Sequence, residues 1–279
     1  MSLFIASLNS GSNGNCYYVG NDQEAVLIDA GISCRETERR MKRLNLSMDR
    51  VKAIFISHEH GDHIAGVTVL AKRYRLPVYI THPTLSQGGI IVEKDLVRSF
   101  IAHQAVNIGS LAVTAFRKFH DASDPHSFMV SSGDVNVGVF TDLGICCDQL
   151  ITHFSKCHAA FLEANYDSEM LEKGSYPYHL KQRIRGGEGH LSNAQALQLF
   201  LEHRPVHMSH LLLSHLSKNN NDPKLVEDLF SQHSGNTRII VASRYKETEV
   251  FHISADGAPV SFRMYKKPAK KPDNQLSLF

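Results

Sequence analysis

The chain has 279 residues, 42% of them apolar, which is enough for one large α/β domain with a sizeable core. Thirty Lys and Arg against 28 Asp and Glu leave a formal charge of +2, so no global basic field announces nucleic acid, and no apolar run approaches the ~18 residues that span a bilayer. Five cysteines, odd in number and without C-x-x-C spacing, read as reduced thiols, and the N-terminus lacks the basic start and length of a signal peptide, so a soluble cytoplasmic protein with no membrane contact is expected.

In chain order, residues 3–8 read as a strand. The polar turn Ser10-Gly11-Ser12-Asn13-Gly14-Asn15 follows, either an anion cradle or a plain hairpin turn. Strands at 16–19 and 25–28 come next, and Asp29 closes the second, where an acid can orient a neighbouring loop. A helix is expected over 34–46, with Met41 and Leu44 inward, then a buried strand over 51–56. Ile64, Val67, Leu70 and Ala71 recur at helical spacing. A strand over 76–80 precedes His82, which reads as a turn residue, and 90–116 suggests antiparallel strands. A hairpin over 127–131 and 135–140 turns at Gly133-Asp134. A helix at 145–153, a strand at 159–162 and a basic, aromatic helix pair within 168–185 follow. Ser192 or Asn193 caps a helix striped by Ala196, Leu197, Phe200 and Leu201. A strand over 206–213, a helix over 222–232 and strands near 238–242 and 249–253 complete the globule. Antiparallel groups first and helices in both halves imply two sheets face to face with helices outside.

One stretch dominates the chemistry. Ser57-His58-Glu59-His60-Gly61-Asp62-His63 sits where a strand ends and a helix begins. His58 and His60 are two apart, so an extended backbone points both to one side, while Asp62 and His63 turn with the chain toward a second point. That suits two adjacent metal ions better than one, and imidazole with carboxylate suits zinc, manganese or iron. His120, Asp142 and His215 each follow an expected strand and can converge on one edge of a sandwich; His126 is the rival of His120.

His-x-His-x-Asp-His after a buried strand resembles the metallo-β-lactamase superfamily. Ser-Gly-Ser-x-Gly-Asn-Cys near the start, Glu-x-Asn-Tyr-Asp from Glu163, Gly-His-Leu-Ser-Asn from Gly189 and Leu-Ser-His-Leu-Ser-x-x-Asn-Asn from Leu213 are together similar to its YycJ/WalJ-type nuclease branch, over about residues 1–253. The resemblance implies a four-layer αββα sandwich. It implies two divalent ions: one on His58, His60 and His120, one on Asp62, His63 and His215, with Asp142 bridging. It also implies that His190 and Ser192 grip the scissile phosphate, with Asp62 and His190 the catalytic side chains. Two metals activate water for in-line displacement at phosphorus. The implied activity is that of a phosphodiesterase on nucleic acid, in particular a 5′→3′ DNA exonuclease. The same site can open a thioester or a cyclic phosphodiester, or cut RNA, so fold alone does not choose. Lys181, Arg183 and Arg185 are candidates for backbone phosphate contacts or simply a solvated face.

No linker divides residues 1–264, which read as one catalytic domain. From 265 the chain turns lysine- and proline-rich, an expected extended tail, and ends in Gln275-Leu276-Ser277-Leu278-Phe279. This pentapeptide resembles the one that bacterial replication proteins insert into the sliding clamp, which implies docking through Gln275 and apolar anchoring by Leu276, Leu278 and Phe279. Clamp tethering favours DNA over RNA as substrate and points to replication-linked repair such as mismatch repair.

Overall fold

The structure, a computed structural model, describes residues 1–255. The expected boundary at 264/265, the lysine-rich tail and the terminal pentapeptide lie outside the described residues.

The first half of the chain builds one sheet. Its strands are β1 (Ser2–Asn9), β2 (Cys16–Gly20), β3 (Ala25–Ile28), β4 (Val51–Phe55), β5 (Val78–Tyr79) and β6 (Val97–Arg98). The second half builds another from β7 (Ala105–Ile108), β8 (Leu111–Arg117), β9 (His126–Ser132), β10 (Val135–Phe140), β11 (Ala159–Glu163), β12 (His210–Ser214) and β13 (Arg238–Val241). The chain then returns, and β14 (Phe251–Ser254) pairs antiparallel with β1 at the edge of the first sheet. Each sheet starts as an antiparallel meander and continues as parallel strands: β3 to β6 in the first, β10 to β13 in the second. Parallel neighbours need crossover connections, which carry the helices to the outer faces.

On the first sheet these are α1 (Cys34–Arg43), α2 (Gly61–Ile64), α3 (Val67–Tyr74) and α4 (His82–Gln87). On the second they are α5 (Asp148–Phe154), α6 (Ser168–Lys173), α7 (Tyr178–Arg185), α8 (Asn193–His203) and α9 (Pro223–Ser231). Alternate strand residues divide the apolar side chains between faces. Leu3, Ile5, Val26, Phe55, Phe128, Phe161 and Leu212 fill the space between the sheets. Phe4, Leu27, Ile54, Met41, Val67 and Leu70 join the first sheet to its helices. Leu162, Leu213, Phe154, Phe200 and Phe230 do the same on the second. The four-layer αββα sandwich is therefore the observed architecture.

Several elements are shorter than their apolar runs. The helix expected over 34–46 stops at Arg43, because Asn45 turns left-handed and Leu46 donates its N–H to Met41 O at 2.9 Å, a Schellman-type close. The helical spacing after His63 is split between α2 and α3, where Gly66 turns its N–H out to Ala30 O at 2.8 Å. The run from 206 begins as a turn, with Val206 fully exposed, and only 210–214 is strand. Within 90–116, β7 and β8 are antiparallel as expected, but β6 joins β5 in parallel. His82 opens α4. All five cysteines are free thiols.

Candidate metal centre

The site lies along one edge of the sandwich, where same-direction strands of both sheets end. Asp29 follows β3, the histidine-rich loop follows β4, and His120, Asp142, Glu163 and His215 stand at or just past the ends of β8, β10, β11 and β12. Asp29, Asp142 and His215 adopt left-handed backbone angles, with φ of 60°, 55° and 56°. Asp and His tolerate this region better than most residues, and it turns the chain sharply enough to aim each side chain back across the sheet edge.

All seven side chains expected as ligands are brought together. His58, His60 and His120 offer ligand atoms within 4.8 Å of one another, as do Asp62, His63 and His215, and as do His58, His63 and Asp142. Between the first three, His58 Nε2 lies 3.1 Å from His60 Nδ1, which lies 3.3 Å from His120 Nε2. On the other side, His63 Nε2 is 3.5 Å and His215 Nε2 3.4 Å from Asp62 Oδ2. Asp142 stands between the groups, its Oδ2 3.2 Å from His63 Nε2 and its Oδ1 3.9 Å from His120 Nε2. The rival His126 bonds Asp124 O and packs on Phe100, outside every cluster.

The outer ring atoms explain why the inner ones converge. His58 Nδ1 lies 2.9 Å from Ser57 Oγ, His63 Nδ1 2.7 Å from Asp29 Oδ2, His120 Nδ1 3.0 Å from Gly189 O and His215 Nδ1 3.1 Å from Glu163 Oε1. An imidazole that gives its N–H outward presents a lone pair inward, the arrangement in which a histidine binds a cation. Asp29 also accepts from Ser57 N at 2.8 Å and Ser57 Oγ at 2.9 Å, so it clamps the histidine loop as expected.

Electrostatics agree. Burial favours neutral imidazoles and pushes His58 down and His120 down to about 4. Burial acts the same way on His63 and His215, but the Asp142 carboxylate, helped by Asp29 and Asp62 at His63 and by Asp62 and Glu163 at His215, overrides it: His63 is raised, and His215 reaches about 10. Asp62 and Asp142 are held well below the usual carboxylate range despite burial, mainly by these imidazoles. Asp142 Oδ2 is buried and, although His63 Nε2 lies 3.2 Å away, makes no well-formed hydrogen bond. Converging lone pairs, an unsatisfied buried carboxylate oxygen and an excess of carboxylates form a donor set that fits divalent cations.

Glu163 is the residue that the sequence reading left out of the site. It is fully buried and accepts from His190 Nδ1 at 2.8 Å, His215 Nδ1 at 3.1 Å, and the amides of Leu143 and Leu191 at 2.6 and 3.3 Å. Its signal was available: an acid ending an all-apolar strand. Asn15 and Asn165 were missed likewise. Asn15 donates to Asp62 Oδ2 at 3.1 Å, and Asn165 to His215 O at 2.7 Å. The Ser10–Asn15 turn acts as a brace: the amides of Ser10, Gly11, Gly14 and Asn15 all donate within the protein.

His190, partly exposed, falls in a fourth such group with Asp142, Glu163 and His215, its Nδ1 taken by Glu163. Ser192 is buried and closes a capping box with Gln195 at the start of α8, so its hydroxyl is engaged by the helix. Gly189 approaches the carbonyls of Arg183 and Ile184 so closely that a Cβ would lie 2.2 Å from either, which fixes the loop carrying His190. Arg183 pairs with Asp121 at 2.5 Å, Arg185 with Glu172 at 3.1 Å, and Lys181 bonds Glu172 O, so this basic run is largely spent on its neighbours.

The family model for the Beta-lactamase superfamily domain matches residues 24–215. Among curated proteins, the chain is 34% identical to the Bacillus anthracis protein named exodeoxyribonuclease YycJ, over 83% of this chain and 89% of that one. It is 31% identical to exodeoxyribonuclease WalJ of Streptococcus pneumoniae, over 78% and 83%. The metallo-β-lactamase fold protein YhfI of Bacillus subtilis superposes with a TM-score of 0.69 over 90% of this chain and 100% of that one, at 16% identity, a likeness of fold. Among the described residues, no helix is long and apolar enough to cross a membrane. With this fold, this ligand geometry and relatives of this identity and coverage, the chain belongs to the metallo-β-lactamase superfamily, in its YycJ/WalJ branch.

Proposed function

We propose that the protein is a dinuclear metal-dependent phosphodiesterase that degrades DNA as a 5′→3′ exonuclease. The observation that carries the reading is the double cluster around Asp142, with His190 held at its side by Glu163. His58, His60 and His120 would hold one divalent ion, Asp62, His63 and His215 the other, with Asp142 between them. When bound, such a pair supplies Lewis acidity to phosphoryl oxygens and lowers the pKa of water. Zinc, manganese and iron all suit these donors.

The chain's own groups do the rest. Asp29, Ser57, Gly189 and Glu163 fix the tautomers of His58, His63, His120 and His215. His190 gives Nδ1–H to Glu163, and no group among the described residues bonds its Nε2, which leaves that atom for a phosphate oxygen of the strand. Ser192 acts by anchoring the Gly189–Leu191 loop through the α8 cap. The names of the YycJ and WalJ relatives support DNA as substrate. Gln275–Phe279 would dock on the replication sliding clamp, which would place the activity in replication-linked mismatch repair.

The test compares 5′-phosphorylated duplex DNA, single-stranded DNA and RNA with bis-p-nitrophenyl phosphate and a thioester. DNA turnover that falls at least 100-fold in His190→Ala, with metal content unchanged, is expected. Hydrolysis of the thioester alone, or loss of metal from the variant, would overturn the assignment.

A further inference from the structure

A second feature adjoins the metal centre and has no part in it. A cavity of about 390 Å³ opens between the loop after His215 and the loop after β13. Ser10, Lys218, Ser243, Arg244, Tyr245 and Lys246 line it. It shares a wall with the site, since His215 donates its backbone N–H to Ser10 Oγ at 2.8 Å and Leu216 and Ser217 continue into the lining.

Its charge is one-sided. Lys218 and Lys246 are exposed, and no carboxylate pairs with Lys218, Arg244 or Lys246 among the described residues. The guanidinium of Arg244 donates from Nη2 to Ser12 Oγ at 2.9 Å, while its Nε is buried with no acceptor. The lining's one acid, Asp222, is committed to the start of α9, where it accepts from Lys224 N at 2.8 Å and Leu225 N at 3.0 Å. The shape is built in as well: Gly11, at φ +138°, leaves room for the guanidinium, and a Cβ there would lie 2.8 Å from Arg244 Nη2. Three cations without counter-charges and neighbouring hydroxyls complement an anion with several acceptor oxygens.

We propose that this cavity holds a phosphate of the bound strand, adjacent to the one at the metal centre, and so sets how the strand is threaded past the site. This rests on the nuclease reading. The phosphate is either the 5′-terminal monophosphate or an internal phosphodiester, two sources of one chemistry.

The test pairs the metal-loaded wild type with a Lys218→Gln/Lys246→Gln variant, both changes at exposed positions. The probe is a single-stranded phosphorothioate oligonucleotide with a 5′-phosphate or a 5′-hydroxyl, followed by fluorescence anisotropy across a salt series. Affinity is expected to fall roughly tenfold and the slope of log affinity against log salt to shallow by about 1, while hydrolysis of bis-p-nitrophenyl phosphate stays unchanged. A loss confined to the 5′-phosphorylated probe assigns the terminal phosphate; an equal loss on both assigns an internal one. Affinity within twofold of wild type at an unchanged slope, or no oligonucleotide binding by the wild type, would overturn the proposal. A wild type that binds the probe through these lysines yet degrades no natural nucleic acid would overturn the nuclease reading and leave the cavity assignment standing.

Discussion

Glu163→Gln isolates the least visible part of the site. The substitution keeps shape and removes charge. Burial alone would raise this carboxyl, but the His190 imidazole and hydrogen bonds from His190 and His215 hold it at about 2, against an ordinary 4.5. A depression of that size favours the charged form by about 3 kcal/mol. The group is fully buried, so little of this is screened by water. Gln cannot accept on both sides. If its amide oxygen keeps the Leu143 and Leu191 N–H groups, its NH₂ faces His215 Nδ1 and His190 Nδ1, which must then become acceptors. Neutral His215 would then carry its one proton on Nε2, where an ion needs a lone pair. The metal-free variant should therefore unfold about 3 kcal/mol more easily at pH 7 in urea. Affinity for the ion on Asp62, His63 and His215 should fall 10- to 100-fold in a chelator competition. The folded pKa lies below the unfolded one, so the stabilisation is complete above about 4.5 and fades as pH falls toward 2. The gap between the two proteins should close over that window. A variant within 0.5 kcal/mol of wild type at pH 7, with both ions held as tightly, would refute the role given to Glu163.

Asp142→Asn should lower the occupancy of both ions together, because one carboxylate faces both clusters; elemental analysis that finds one ion lost and the other fully retained would count against a bridge. Filling the Asp62–His63–His215 group at pH 7.5 should release protons, since His63 and His215 are raised and hold them without metal, whereas His58 and His120 are lowered and have none to give. Affinity at that group should accordingly climb as pH rises toward 10, read by calorimetry in two buffers of different ionisation enthalpy; a pH-independent affinity would contradict it. Deleting 275–279 should abolish binding to a sliding clamp while exonuclease activity on free ends stays nearly unchanged, and clamp binding by the truncated protein would sink the docking peptide.

The local chemistry was legible in one dimension. His58, His60, Asp62 and His63 lie within six positions, and their placement between a strand and a helix follows from apolar spacing alone. His120, Asp142 and His215 were readable because each follows a strand-like run, although that reading supplied only candidates and the family resemblance supplied their pairing. What the sequence could not carry was the third partner of each contact. Glu163 looks like any strand-terminal acid until the fold sets β11 between β10 and β12, where its carboxylate meets two imidazoles 27 and 52 residues away. Ser192, the motif residue expected at the phosphate, caps α8 together with its neighbour Gln195, and its burial comes from the fold. The run from Val206 began as a turn because no strand stands beside it there to take its hydrogen bonds. Arg244 meets the Ser10–Ser12 loop across more than 230 residues, so the cationic cavity exists only in the folded chain. Backbone preference and side-chain period act over a few residues and are written in order along the chain. Tautomers, buried charge and shared walls depend on which strand ends become neighbours, and that is decided when the two sheets pack.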